Sequence, residues 1–174
     1  MPPSTIIKEC SRFLAQSDKI PLFKLLPSHG EGFRKIKMRK KRTHEHEIEK
    51  YFDMAFMEEY KDLRLRSMIA HTKEPATSIE GKEPFYIFPT DGFKILVNPM
   101  VDDYNNYIFT LERALRSSNV DSQSILNDLF SNGYAASDIK SAAVHKSDVF
   151  IYGISHYYAI RKSLIDSYDI FISY

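Results

Sequence analysis

The stretch RKIKMRKKRTHEHEIEKY, residues 34–51, holds seven Lys or Arg within nine positions, then two His among three Glu. Arg34, Lys35, Lys37, Arg39, Lys40, Lys41 and Arg42, beside Phe33, are a set able to grip phosphates, and binding of that kind falls steeply with salt. The same run suits an acidic protein or the phosphates of a dinucleotide, and its ordinary alternative is a solvated surface loop. His44 and His46 invite a metal reading, but the apolar pattern downstream is helical. Residues two apart on a helix face nearly opposite ways, so the pair cannot share one ion.

The remaining chemistry-bearing residues are scattered. His29, His71, His145 and His156 have no companions at metal-ligand spacing, and neither HExxH nor CxxC occurs, so no metal is expected. Asp102-Asp103 read as a helix N-cap and its dipole partner. Ser155 and His156 are neighbours in a predicted strand, where their side chains face opposite ways and form no catalytic dyad. No glycine-rich phosphate loop is present. Cys10, the single cysteine, falls on an apolar helical stripe and reads as an inert buried thiol.

These residues must be positioned by a chain of 174 residues, 43% apolar and 13% aromatic without Trp, which suits one domain over residues 1–174 with a proper core. A lone Cys excludes an internal disulfide and fits a reducing compartment. No apolar run nears the roughly 18 residues of a membrane span, and the start lacks a signal-peptide core. The expectation is a soluble intracellular protein with no membrane partner. Residues 1–61 carry 13 Lys+Arg against 9 Asp+Glu, and residues 62–174 carry 11 against 14. The excess comes from Arg34–Arg42, so the basic feature is local.

Ile6, Ile7, Cys10, Phe13 and Leu14 predict a helix over 5–16, and PLFKLL a buried strand. A second helix begins at Thr43, with Glu45 and Glu47 suited to its N-terminal dipole. FYIFP and FKILV flank TDG, an Asp-Gly hairpin signal. Helices are predicted over about 104–116, from Asp121, and near 137–143. DVFIYG, HYYAI and DIFISY read as closing strands.

In order, PLFKLL, the basic run and its helix, RLRSMIAHTKEPA, FYIFPTDGFKILVNPMVDDY and HKSDVFIYGISHYYAI resemble a group of bacteriophage proteins similar to mono-ADP-ribosyltransferases. Those proteins carry an LYRG-like strand, a basic segment leading into a helix and an R-S segment. An IFP-x-x-x-F-K strand pair and a late strand opening with Glu complete the set. The resemblance spans roughly residues 10–162. It implies an α+β fold, with N-terminal helices followed by a mixed or antiparallel split sheet of ADP-ribosyltransferase type.

It also implies roles. In LFKL, Lys24 stands where an Arg would hold the phosphates of NAD, and Leu25 where Gly would stand. Ser67 of RSMIA would shape the nicotinamide pocket. Asp148 of SDVFIYG would stand for the Glu that stabilises an oxocarbenium-like state. Lys lacks the bidentate fork of Arg, and Asp is one methylene shorter than Glu. These departures suggest a retained fold with weakened chemistry.

The implied function is a phage-encoded, NAD-dependent ADP-ribosyltransferase acting on a host macromolecule, or a pseudoenzyme on that scaffold, in host cytoplasm or virion. The alternatives are a non-catalytic virion-associated or partner-binding protein, with YDIFISY as an oligomer edge strand, and a nucleic-acid binder through residues 34–42.

Overall fold

The computed structural model describes residues 2–39, 48–60, 68–75, 79–117, 121 and 133–168. Ser67, Lys40, Lys41, Arg42, Thr43, His44 and His46 lie outside the described residues, as do the helix expected after Asp121 and the strand expected over 169–174.

The single helix expected over 5–16 is two: α1, Pro2–Glu9, and α2, Ser11–Ser17. The break at Cys10 is enforced from outside. Asp91 N–H donates to the Glu9 carbonyl (2.7 Å), while the Asp91 carboxylate accepts from Ser11 Oγ (2.7 Å) and the Arg12 N–H (2.8 Å). Asp91 thus caps α2, satisfying N–H groups that no helical carbonyl reaches. Cys10 is fully buried at this joint, and burial, with Asp91 and Glu9 nearby, pushes its thiol up to about 12.

Among the described residues eight strands form one antiparallel sheet. They are β1 (Phe23–Pro27), β2 (Phe33–Lys37), β3 (Met68–His71), β4 (Lys82–Pro89), β5 (Lys94–Val97), β6 (Ala135–Ala136), β7 (Asp148–Tyr152) and β8 (His156–Arg161). Their order is β2-β8-β4-β1-β3-β7-β5-β6. The sheet is close to split: β1 meets β3 only at the pair Phe23↔His71, whereas β1 pairs with β4 over five positions. An α+β chain with an antiparallel sheet agrees with the sequence reading, and every strand pair is antiparallel rather than mixed.

Two local expectations are corrected. FYIFP and FKILV do not pair as a hairpin: β4 lies between β8 and β1, and β5 between β7 and β6. The Asp91-Gly92 turn carries the chain from one half of the sheet to the other, with Gly92 at φ +95° and its carbonyl against Gly153, where a Cβ would come within 3.2 Å. The backbone turn matches the Asp-Gly signal, but Asp91 is committed to α2 and the strands it joins find other partners. The start of the basic run is not a loop either. It is β2, the edge strand paired with β8 from Phe33↔Ile160 to Lys37↔His156. Charges on an edge strand discourage pairing with another chain.

Helices cover both faces of the second half-sheet. Val149 and Ile151 of β7 join the larger core with Phe13, Leu14, Ile139 and Ala142, from α2 and α5 (Ile139–His145). Phe150 and Tyr152 join a smaller core with Ile48, Tyr104 and Ile108, from α3 (Ile48–Tyr60) and α4 (Tyr104–Ser117). A strand covered on both faces reads as a continuous apolar run, which explains DVFIY, buried at every position. Val149, Phe150 and Ile151 each contribute about 1.5–3 kcal/mol on burial. A 3₁₀ helix over Lys162–Tyr168 follows β8. Among the described residues no helix is long and apolar enough to cross a membrane.

Candidate functional site

Past Phe23↔His71 the β1–β3 ladder stops, and the carbonyl of Ile69 loses the partner a continued ladder would supply. The Lys24 ammonium donates to it at 2.9 Å, across the opening. Between the diverging strands lies a cleft of about 420 Å³, within the size range of small-molecule sites. Leu25, Leu26, Met38, Met68 and Ile69 provide its apolar walls, with Tyr157 of β8. Among the described residues its charged lining is Lys24, Lys37, Arg39 and Lys82, without a carboxylate. Tyr157 is buried, which pushes its hydroxyl up to about 12 although Arg39 pulls the other way, so it stays protonated and able to donate.

The basic run divides by role. Arg34 is a scaffold residue: Nε donates to Glu31 O (2.7 Å), and Nη2 to Pro27 O (2.9 Å) and His29 O (2.7 Å), with the guanidinium 4.4 Å from the Phe85 ring centre. Arg161 reinforces the same loop through Ser28 O and Gly30 O. Its Nε lies 2.7 Å from Glu83 Oε1 as an ion pair, without the alignment of a hydrogen bond. Lys35 reaches Glu9 at 3.8 Å over the Tyr158 ring. Ile36 and Tyr157 are register partners that line the cleft. Lys37 is opposite His156, and cross-strand partners share a face, so its side chain lies on the other side of the sheet and its backbone borders the cleft. Arg39 remains exposed at the cleft mouth.

Asp148 is elsewhere. It opens β7 at 6% exposure, with Oδ1 2.6 Å from His71 Nδ1 and Oδ2 accepting the Tyr104 N–H at 2.9 Å. The carboxylate therefore caps α4 at its first residue, and Asp103 supplies the more usual cap by accepting from the Asn106 N–H at 3.0 Å. Asp148 does not line the cleft that contains Lys24. Of the expected site residues, the fold brings Lys24 together with Arg39 and the backbone of Lys37. It sets Arg34, Lys35 and Asp148 apart from them.

The expectation for Ser155 and His156 is corrected. Ser155 sits in a bend before β8, not inside the strand, so alternation does not separate the two. Its Oγ is 2.9 Å from His156 Nδ1, and His156 Nε2 is 3.1 Å from Glu9 Oε2. Tyr158 donates to that same oxygen at 2.6 Å. Hydrogen bonds from Tyr158 and then His156, with Lys35 nearby, hold the Glu9 carboxyl below its ordinary value against the opposing effect of partial burial. Glu9, Lys82, His71 and Tyr158 carried no sequence signal. Glu9, His71 and Tyr158 each act through a partner dozens of residues away or more, which no local window of sequence shows.

Among the described residues no group of His, Cys, Asp and Glu could hold a metal ion. No protein-family model, curated protein or solved structure matches the chain.

Proposed function

We propose that the cleft between β1 and β3 binds a small phosphate-bearing ligand of nucleotide type, and that the chain acts by binding it. The observation that carries this reading is the lining of the cleft: Lys24 and Arg39 beside apolar walls, with no carboxylate among the described residues that line it. Cations in a partly enclosed site attract phosphate more strongly than cations on an open surface, because fewer waters screen them. The apolar walls and the Tyr157 ring suit a base or sugar face.

ADP-ribosyl transfer from NAD to a host macromolecule is the more specific form of this proposal, and the split sheet and the position of Lys24 favour it. Asp148 lends it less support, since both its oxygens have partners and it stands away from the cleft. A binding role without transfer is the reading we adopt.

Calorimetry with NAD, ADP-ribose, ADP and pyrophosphate tests it. Binding that weakens at least tenfold in Arg39→Ala, and falls with added salt, is the expected result. Absence of heat with all four ligands ends the reading. Transfer of label from NAD to host lysate proteins would instead establish the enzymatic form.

A further inference from the structure

The residues 155, 156 and 9 form a relay on the face of β8 opposite Tyr157, so it is separate from the cleft. We propose that Ser155 is an activated nucleophile, with His156 as its base and Glu9 orienting the imidazole, and that it accepts acyl groups from small carboxylic esters.

The carboxylate at Nε2 selects the imidazole tautomer with its hydrogen on Nε2. That leaves Nδ1 as acceptor for the Ser155 hydroxyl, 2.9 Å away. The order acid–imidazole–hydroxyl is that of acyl-transfer triads, with the two ring nitrogens exchanged. Glu9 is held in turn by Tyr158 at 2.6 Å and Lys35 at 3.8 Å, which keep it ionised at neutral pH. The imidazole is fixed on its other side by its backbone: Thr90 Oγ1 donates to the His156 carbonyl at 2.8 Å, and the ring stands edge-on to Tyr158 at 5.5 Å. Ser155 is exposed, so an ester reaches it without any part of the fold moving. Lys37 is the register partner of His156 on the same face, and its ammonium makes no ion pair among the described residues. It is the cation available to an oxyanion forming beside Ser155.

In the first step, Ser155 Oγ bonds to the ester carbonyl carbon as its proton passes to His156 Nδ1. The ester C–O bond breaks, and the leaving alkoxide takes that proton. Water then attacks the acyl-serine, giving up a proton to His156, and Ser155 leaves with it as the carboxylic acid is released. No cofactor or oxidant enters the balance.

The test uses the full chain with p-nitrophenyl acetate and a fluorophosphonate, followed by peptide mass spectrometry. The expected result is modification of Ser155 in preference to the exposed Ser11 and Ser28, with ester hydrolysis lost in Ser155→Ala. Glu9→Gln should slow hydrolysis about tenfold. Ser155→Ala removes only an exposed hydroxyl and keeps the fold, so the result does not depend on the stability of a His156 variant. Modification spread evenly over exposed serines, or hydrolysis unchanged in Ser155→Ala, overturns the proposal. Because the relay and the cleft lie on opposite faces of β8, neither outcome bears on nucleotide binding.

Discussion

Asp148 and His71 are joined across the β3–β7 pair, with Oδ1 of the first 2.6 Å from Nδ1 of the second. The other carboxylate oxygen takes the first N–H of α4 from Tyr104. One side chain therefore ties two central strands to a helix. Asp148→Asn keeps the shape but turns an amide NH₂ towards one of two donors. It should cost about 2–3 kcal/mol, the expense of leaving a buried group unpaired, read as a lower urea midpoint. A group serving only catalysis would leave the midpoint unchanged on the same substitution.

Glu9 makes stability depend on acid. Its carboxyl is held below the ordinary 4.5 by Tyr158 and His156, so it binds protons less readily folded than unfolded. A depressed carboxyl adds stability that is fully present above its unfolded value, and loses it as pH falls through the lower folded value. Glu9→Gln should therefore be less stable than the native chain at pH 7. The gap should close on acidification from about pH 5 downward. Paired urea titrations at pH 7 and pH 3 measure this, and a gap that widens in acid would contradict it.

Cys10 should resist alkylation. Its thiol is fully buried beneath α1 and α2, 3.5 Å from the Phe88 carbonyl, and is pushed up to about 12. Since the thiolate is the reacting species, iodoacetamide at pH 8 should leave the native protein unmodified and label it stoichiometrically in urea. Rapid native labelling would mean that the joint between the two helices opens readily.

The elements were more legible than their partners. Apolar patterning located α4, β7 and β8 closely: one helical period runs through Tyr104, Ile108 and Leu111 of α4, and β7 and β8 are short continuous apolar runs. It joined α1 to α2, because the stripe through Ile6, Cys10 and Phe13 continues across the break that Asp91 causes from 80 residues away. The Asp-Gly turn was visible, but β1, β3 and β7 intervene between the strands it connects, and pairing across a sheet leaves no mark in a local window. Lys24 was singled out through a family resemblance. The cleft beside it needed Arg39 brought in from just past the end of β2. The Ser155–His156–Glu9 relay was hidden for a simpler reason: strand alternation was applied one residue too early, at a bend.

Lys24 offers the sharpest separation of scaffold from function. Its ammonium closes the split by bonding to Ile69 O, and the same group lines the cleft. Lys24→Met keeps the stem and removes the donor. It should cost about 1 kcal/mol from the lost hydrogen bond. It should also weaken binding of ADP or pyrophosphate tenfold or more. Lys24→Arg tests the two roles differently. A guanidinium can still donate to Ile69 O, and its fork matches two phosphate oxygens at once, so stability should be retained and affinity kept or raised. Calorimetry and thermal melting on the same three proteins distinguish the cases. If Lys24→Met loses stability yet binds pyrophosphate as tightly as the native chain, Lys24 is a strut across the split and the phosphate contact belongs to Arg39.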